Sequence, residues 1–421
     1  MSGTIVNNVA RASGTIAATP GGLDWSTAVV TASTVTVEAG RGYFINTTSN
    51  ACTVTLPSSA EAGDQIVIAD YARTWSTNAV TLDSNGLNFQ GQADTYTVDY
   101  DTVGQSLNIV YSDSTKGWLP VSDDAVADVP LAPPTQKAAF AYGQVGSSSN
   151  TSVKNLMNSS GVIASDVTGV GTARRMISGA TYGLDKGIFA FGYTSSNVSL
   201  KNLMNSSGVI AADVSGVGTA RRGTGSTGYG VDTAIYAFGL AGADTNVSNL
   251  VNSSGVVASD TTGVGTSRAE LIGVRYGTDT ALFSFGTIAS TKTNLVSNSG
   301  VVASDTTQVG TARTAPGAAT YGGDKAAVAY GTTGSVTAVK NLISNVGVVG
   351  SDVTGVGTAR NSIAGVGYGG DKGAFAYGTT GGTNYVSLKN LMSNSGVIAS
   401  DVTGVGTARA TLASAGYSIT A

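Results

Sequence analysis

Six arginines recur at nearly constant intervals, and their type and spacing make them the first candidates for chemistry in this chain. Arg174 ends the segment Asn155-Leu-Met-Asn-Ser-Ser-Gly-Val-Ile-Ala-Ser-Asp-Val-Thr-Gly-Val-Gly-Thr-Ala-Arg174, and close variants end after further intervals of 47, 47, 45, 47 and 49 residues. The equivalent residues are Arg174, Arg221, Arg268, Arg313, Arg360 and Arg409. Six equivalent cations could form a ring that binds a polyanion. Alternatively, each arginine pairs with the Asp of a neighbouring Ser-Asp or Tyr-Gly-x-Asp segment and fixes the loops between repeats. We favour the structural role, because a residue present in every repeat usually serves the repeat.

An aspartate also recurs in every copy, in the pattern Asp-x-Thr-Gly or a near variant. The equivalent residues are Asp166, Asp213, Asp260, Asp305, Asp352 and Asp401. Carboxylate oxygens suit Ca²⁺, but one carboxylate per repeat is too few for a tight site. Capping of a local turn by the aspartate side chain explains the pattern equally well. We therefore expect no metal and no cofactor.

Histidine is missing from the chain, and cysteine occurs once, as Cys52. Ordinary zinc, copper and non-haem iron sites are thereby excluded, as is any catalytic triad that uses imidazole as its base. Glycoside hydrolysis generally uses a pair of carboxylates, whereas the repeats contain one glutamate, Glu270, without a counterpart in the other copies. We predict that the protein is not an enzyme, and keep a polysaccharide-active enzyme as the alternative from that class.

Composition indicates an all-β protein. The 58 glycines and the abundance of Ser, Thr, Ala and Val favour strands and tight turns over helices. Hydrophobic residues make up 41 % of the chain and the net charge is only −4, which argues against disorder. No apolar run reaches 18 residues, and we expect no membrane insertion. The start of the chain lacks the pattern of a secretory signal.

Charge and sequence pattern divide the chain. Residues 1–128 carry 4 basic and 13 acidic side chains, and the remaining residues carry 18 and 13. We predict an N-terminal arm over 1–27, a β-sandwich module over 28–121, a Pro-rich linker over 122–136 and the repeats over 137–421. The arm either docks on another chain or on the following module, or frays. Three of the seven prolines occur within a stretch of five residues inside the linker, which favours a stiff connection.

Short β-type segments separated by Gly, Asn, Asp and Ser fill residues 29–121. They include Gly42–Thr47, Thr53–Pro57 and Gln65–Asp70. This spacing predicts a small antiparallel sandwich or barrel of roughly eight strands.

Several motifs of this module resemble a family of known proteins. They are Arg41-Gly-Tyr-Phe-Ile-Asn-Thr, Thr53-Val-Thr-Leu-Pro-Ser-Ser, Ala62-Gly-Asp-Gln-Ile-Val-Ile-Ala-Asp-Tyr, Asn85-Gly-Leu-Asn-Phe-Gln-Gly and Val110-Tyr-Ser-Asp-Ser-Thr-Lys-Gly-Trp118. In this order, over roughly 80 residues, they are similar to a β-module of fibre and appendage proteins of tailed bacteriophages, especially marine ones. The resemblance implies a structural and attachment unit, often in trimeric fibres, without catalytic residues.

The repeats predict a six-bladed β-propeller. We divide each into four strands, represented by Ile177–Tyr182, Gly187–Phe191, a strand through Asn202-Leu-Met204 and one through Val209-Ile-Ala-Ala. The first repeat starts at its second strand and the chain ends just past a first strand, so the C-terminal strand is expected to close the ring on residues 137–143. The punctuation by an aromatic residue and Gly resembles kelch-like propellers as a class, although the kelch Gly-Gly doublet and its Trp are not reproduced.

The loops after the second strand differ between repeats in length and content. Their Ser, Thr, Asn and Tyr side chains suit polar, sugar-like surfaces, although the loops could equally be unselected. The candidate adhesion residues are Ser148, Asn150, Tyr193, Asn197, Asp244, Asn246, Lys292, Thr337, Asn384 and Tyr385.

Together these features predict a structural appendage of a phage virion, a tail or head fibre made in the host cytoplasm. Residues 1–121 would bind other virion proteins and form a homo-oligomer, a trimer, while the propeller would bind a glycan or envelope component of the host surface. No nucleic acid is expected as a partner. The alternatives are a capsid decoration or stabilising protein without receptor binding, and a cellular kelch-like scaffold, which the first 121 residues disfavour.

Overall fold

The computed structural model describes residues 23–92, 98–125, 134–287 and 291–421. These residues form strands, turns and irregular segments but no helix, which confirms the predicted all-β class. The chain divides into two compact units, Met1–Val129 and Pro130–Ala421. Most of the predicted arm, and residues 126–133 of the predicted linker, lie outside the described residues.

The first unit consists of short strands in two sheets. In chain order the strands are β1 Asp24–Trp25, β2 Thr34–Thr36, β3 Arg41–Ile45, β4 Cys52–Thr55, β5 Gln65–Asp70, β6 Val80–Asp83, β7 Val98–Tyr100, β8 Gln105–Asp113 and β9 Gly117–Ala125. One sheet has the order β1-β3-β5-β8-β9 and the other β2-β4-β6-β7. Strand β9 continues four residues into the segment predicted as linker.

The prediction of an antiparallel arrangement is wrong for the first half of this unit. From β1 to β6 the chain changes sheet after every strand, so it returns to each sheet in the same direction. Neighbours in a sheet are therefore parallel, as in the pairs β1 with β3, β3 with β5, β2 with β4 and β4 with β6. Only the later pairs, β5 with β8, β8 with β9 and β6 with β7, are antiparallel.

Both sheets of the first unit contribute to one core. Ile45 of β3 and Val54 of β4 are fully buried in it, together with Trp75 and Trp118. Part of the predicted arm docks on this unit, because Asp24 and Trp25 pair with Arg41 and Gly42 of β3.

The second unit consists of similar small sheets, one per repeat. Its strands are β10 Lys137–Val145, β11 Ser149–Met157, β12 Ser178–Tyr182, β13 Lys186–Ala190, β14 Lys201–Met204, β15 Gly225–Tyr229, β16 Thr233–Leu240, β17 Asp244–Val251, β18 Ile272–Tyr276, β19 Thr280–Ser284, β20 Lys292–Val296, β21 Thr306–Thr307, β22 Gly317–Tyr321, β23 Lys325–Ala329, β24 Lys340–Ile343, β25 Ala364–Tyr368, β26 Lys372–Ala376, β27 Lys389–Met392 and β28 Ala413–Tyr417. In five of the six sheets the first three strands pair antiparallel in chain order, as β12-β13-β14 does.

The second strand of each sheet is apolar because both of its faces are buried. In β13, Ile188 belongs to a core shared with the following sheet, whereas Phe189 belongs to a core shared with the preceding one. Such a core lies between every two successive sheets, and one also joins the last sheet to the first, where Ala374 and Ala376 pack with Ala138 and Phe140.

The C-terminal strand joins the sheet of the first repeat. β28 pairs antiparallel with β10, from Lys137 opposite Tyr417 to Ala141 opposite Ala413, as the repeat count predicts. The first strands contact one another in the order β12, β15, β18, β22, β25 and β28, and β28 also contacts β12. The series of contacts therefore returns to its start.

The predicted fourth strand is largely absent from the described residues. In the repeat of Asn202 it consists of isolated bridges, from Ile210 to Met204 and from Val214 to Lys201, and only Thr306–Thr307 forms a short strand at this position. Between the bridges the Asn202 side chain donates to the Ala211 carbonyl and to an oxygen of Asp213. These side-chain hydrogen bonds replace part of the backbone hydrogen bonding that a full fourth strand would form.

Candidate functional site

Each repeated arginine lies at the junction between two successive sheets. The side chain of Arg174 is fully buried, and its guanidinium carbon lies 4.5 Å from the ring centroid of Tyr142 in one sheet. Its Nε atom donates to the Phe191 carbonyl (3.0 Å) and its Nη2 atom to Oδ1 of Asn202 (2.7 Å), both in the next repeat. The side chain thus stacks on one repeat and bonds to the following one.

The other five arginines stack on an aromatic ring in the same way. Arg221, Arg268, Arg313, Arg360 and Arg409 lie 4.2–4.3 Å from the centroids of Phe191, Phe238, Phe285, Tyr330 and Tyr377. Burial lowers the pKa of Arg221, Arg268 and Arg313 to about 10 against the opposing effect of nearby aspartates, so these groups stay charged at neutral pH. A polyanion-binding ring does not fit this burial.

Each repeated aspartate receives donors from the preceding repeat. Asp213 accepts from the backbone N–H (2.9 Å) and the hydroxyl (2.6 Å) of Thr172 and from the Asn202 amide (2.9 Å), and Nη1 of Arg174 is 3.7 Å from its Oδ1. Burial raises the pKa of Asp213, but the bonds from Thr172 and Asn202 and the charge of Arg174 outweigh it and hold the pKa below its ordinary value of 3.8. Both oxygens thus face donors, whereas calcium needs further oxygen ligands.

A glycine is required next to this network. Gly171 has a φ of +82°, and a Cβ there would lie 2.4 Å from Oδ1 of Asp213. The Gly-Thr-x-Arg tetrapeptide is therefore needed as a unit, since Gly171 permits the approach of the carboxylate that Thr172 and Arg174 bind.

One arginine lacks part of this arrangement. The Nε acceptors of the other five arginines are carbonyls of aromatic residues with left-handed backbone, such as Phe191 with a φ of +63°. Nε of Arg313 is buried without a hydrogen-bond partner, although its Nη2 atom still donates to Asn341. Arg313 therefore makes a weaker junction.

Two residues after each arginine, the backbones form a closed ring of hydrogen bonds. Each N–H donates to the carbonyl of the equivalent residue in the preceding repeat at 2.8–3.0 Å. The members are Met176, Gly223, Glu270, Ala315, Ser362 and Thr411, and Met176 donates to Thr411.

These ring residues line one end of a cavity among the first strands. A space of about 170 Å³ is bordered by them and by Gly179, Ser226 and Ser414. A second space of about 480 Å³ shares those three residues and is also lined by Thr135 and Arg275. Arg275 donates to the carbonyls of Gly230 and Thr278, and burial lowers its pKa.

The variable loops lie at the same end of the sheets as the hydrogen-bonded ring. Tyr193, which opens the loop after β13, exchanges two backbone hydrogen bonds with Arg175, the neighbour of ring residue Met176. The chain enters the repeats at the other end, where Gln136 bonds to Ser418 and Gly369. We call the end that carries the loops the loop surface.

Several predicted adhesion residues connect neighbouring repeats. Asn150 donates to the carbonyls of Tyr193 (3.2 Å) and Thr194 (3.4 Å), and Asn197 donates to Leu240 (2.9 Å). Asp244 accepts from the Thr287 hydroxyl at 2.6 Å.

Other predicted adhesion residues make contacts within their own repeat. Asn246 donates to Gly265 at 2.7 Å, Thr337 accepts from the backbone of Val339, and Tyr385 forms a bridge with Thr379. Lys292 pairs with Thr307 within a sheet. Ser148 and Asn384 are exposed.

Two arginines that sequence reasoning missed contact the predicted residue Tyr193. The guanidinium carbons of Arg175 and Arg222 lie 4.9 and 4.6 Å from the centroid of its ring. The signal for them was present in the sequence. Each directly follows a repeated arginine, whereas the other repeats have Ala269, Thr314, Asn361 and Ala410 at this position.

Glu270 lies next to these arginines on the ring, since its N–H donates to Gly223, the neighbour of Arg222. Burial raises the pKa of Glu270, the charge of Arg222 lowers it and Asp244 raises it further. No described residue donates a side-chain hydrogen bond to its carboxylate.

The first unit carries an exposed aromatic cluster. Trp25 stacks on Phe44 with centroids 4.6 Å apart, and Tyr71 meets Phe44 edge-on at 6.4 Å. Their exposures of 40, 38 and 56 % are large for aromatic side chains.

Within the described ranges there is no helix with the length and hydropathy needed to cross a bilayer. Neither the family models nor the curated proteins with which the chain was compared match it.

Proposed function

We propose that the second unit is a six-bladed β-propeller closed by β28, and that the first unit is a small β-sandwich. The series of contacts among the first strands supports the propeller, as does a core between each two successive sheets. The junction of the last and first repeats contains the same arginine and aspartate contacts as the others, through Arg409 and Asp166.

The protein is a structural appendage of a phage virion, a tail or head fibre whose propeller adheres to the host surface. One observation carries this proposal: the arginine and aspartate that all repeats share are used in holding the repeats together, while the loops that differ in length and content lie together on the loop surface. Arg174 and Asp213 exemplify the first group, and Ser148 and Asn384 the second. Such a division suits a rigid platform with an adaptable binding surface.

Anchoring and assembly belong to the first unit. Its resemblance to phage fibre modules supports a role in binding other virion proteins, and the exposed cluster of Trp25, Phe44 and Tyr71 supports association of copies into a trimer. Several propellers on one particle would turn weak single contacts with a host glycan into firm attachment.

Binding of the purified full-length protein to host cells and to a glycan array tests the proposal. We expect binding to cells and to a subset of glycans, with no release of reducing sugar. Release of reducing sugar would instead favour an enzyme, and Glu270 and Asp244, which interact electrostatically, would be the first carboxylates to substitute.

A variant of the exposed loop residues, Ser148→Ala with Asn384→Ala, should weaken this binding if those residues touch the ligand. The matched control changes Ser207 and Ser254, exposed turn residues of the repeat hairpins. A protein that binds virions but neither cells nor glycans would support the capsid decoration alternative.

A further inference from the structure

We propose that Arg175 and Arg222 form a binding site for an acidic group of a saccharide on the loop surface. This inference deepens the proposed function and rests on it, because it names the chemical class of the glycan. The site combines two guanidinium groups, the ring of Tyr193 and the carboxylate of Glu270.

The fold itself does not require the two cations. Four of the six repeats have Ala, Thr or Asn at the position of Arg175 and Arg222, and the backbone contacts of that position persist in them, as between Asn361 and Thr379. A residue that the architecture can replace, and that occurs as arginine in two adjacent repeats, is a candidate for binding.

The guanidinium groups are held in place before any ligand arrives. Both lie over the Tyr193 ring, which attracts cations through its π-face. Arg222 donates through Nη1 to Oδ1 of Asn197 at 3.1 Å, and Arg175 makes a longer bond to Oδ1 of Asn150 at 3.5 Å. Ordering these long side chains in advance reduces the entropy lost on binding.

Most of their hydrogen-bonding capacity is unused. A guanidinium has five N–H donors, yet Arg175 and Arg222 each make one side-chain bond with the described residues and no ion pair with a described carboxylate. By contrast, buried Arg174 donates to four acceptors. Half-buried guanidinium groups with free donors suit a carboxylate, sulfate or phosphate, which they can bind in bidentate fashion.

The neighbouring charges favour a saccharide over a simple anion. The backbone of Glu270 bonds to Gly223, the neighbour of Arg222, and Glu270 interacts electrostatically with Arg222 and with Asp244, so the site contains both basic and acidic groups. No side chain among the described residues donates a hydrogen bond to the Glu270 carboxylate. The carboxylate can therefore accept hydrogen bonds from the hydroxyl groups of a sugar. An acidic sugar offers an anionic group for the arginines and hydroxyl donors for Glu270, whereas an inorganic anion offers only the anionic group.

The test compares carboxylated, sulfated and phosphorylated oligosaccharides with neutral ones, including galacturonate oligomers and their methyl esters, which differ only in charge. We expect the full-length protein to bind at least one acidic class and not its neutral counterpart, with an affinity that falls as salt increases. The double variant Arg175→Gln with Arg222→Gln should lose at least tenfold in affinity, and Arg175→Lys with Arg222→Lys should retain part of it.

The matched control is Lys186→Gln with Lys372→Gln, which removes the same charge at the opposite end of the sheets. It should bind like the wild type, and both double variants should melt like it. Equal binding of acidic and neutral glycans, no binding of any acidic probe, or an equal loss in the control overturns this site while adhesion to cells can still stand. Absence of binding to cells and to every glycan overturns the proposed function as well.

Discussion

Nη2 of Arg409 donates a hydrogen bond of 2.8 Å to Oδ1 of Asn155, although 254 positions separate the two residues. Arg174 makes the equivalent bond to Asn202, only 28 positions away. Lys389 likewise reaches the carbonyl of Gly161 across 228 positions, as Lys154 reaches Gly208 across 54. The last repeat therefore meets the first through the same hydrogen bonds as these internal neighbours do.

Removing residues 410–421 should destabilise the whole second unit, because β28 contributes Ala413, Ala415 and Tyr417 to a core that also contains Phe189. The loss should be on the order of 5 kcal/mol or more. Hydrogen exchange should show faster exchange of the β10 and β12 amides. A chain ending at Ser418 keeps β28 and should behave like the wild type; unchanged protection in the shorter chain would contradict the proposed closure of a propeller by β28.

Arg268→Gln should destabilise the protein by about 3–5 kcal/mol, because it leaves Asp305 without its buried cation and Asn294 without a donor. Arg313→Gln is the internal comparison. Since Nε of Arg313 already lacks a partner, this change should cost about 1 kcal/mol less. Urea unfolding of both variants measures the difference, and equal losses would show that the Nε bond contributes nothing.

Stability should fall in acid. The pKa values of the six repeated aspartates lie below their ordinary value of 3.8, so each stabilises the fold when ionised and loses this contribution as the pH drops through its folded pKa. We expect the free energy of unfolding to decline below about pH 4. Asp305→Asn should be less stable at neutral pH and lose less on acidification; parallel curves for variant and wild type would contradict this role.

Glu270→Gln should change the pH dependence of stability in the opposite direction. Burial raises the pKa of Glu270, so the protonated form suits the fold better and its contribution is lost as the pH rises through the folded pKa. The variant should melt above the wild type at neutral pH and approach it at about pH 4. A lower melting temperature at neutral pH would mean that the ionised carboxylate is needed for stability.

If the full-length protein is a trimer as proposed, Phe44→Ser with Tyr71→Ser should reduce its mass in solution to that of a monomer, because this change removes most of the exposed aromatic cluster. Val209→Ser is the control, since it removes a comparably exposed hydrophobic residue of the second unit. Analytical ultracentrifugation measures the mass. An unchanged trimer would place association elsewhere, and a monomeric wild type would assign assembly to a virion partner.

The sequence predicted the all-β class and the pairing of the C-terminal strand with residues 137–143, of which 137–141 do pair, because the spacing of the repeated arginines makes the missing strand countable. It did not predict the parallel pairs of the first unit. Alternating patterns such as that of Thr53–Thr55 specify which side chains are buried but not which strand lies alongside.

Only some of the side chains that meet at a repeat junction could be predicted from the sequence. The arginine and the aspartate could be identified because they recur in every repeat, and ion pairs between them are present in the structure, as between Arg174 and Asp213. Asn202, which bonds to both, recurs equally but looked like an ordinary strand residue. Its role depends on the following sheet standing next to Arg174, a relation that no local pattern contains.

The place of β10 in its sheet has a mechanical consequence. It lies between β11 and β28, pairs with β11 from Ala138 to Val145 and with β28 from Lys137 to Ala141, and the chain reaches it from the end opposite the loop surface. If the protein attaches a particle to a host surface as proposed, a pull on the chain that precedes β10 would act on this strand from the end opposite the loop surface. Hydrogen bonds to both neighbours would then be loaded in shear, all at once, instead of opening one by one. β10 is thus hydrogen-bonded on both sides at the end where such a pull would reach it, which suits a strand that carries tension.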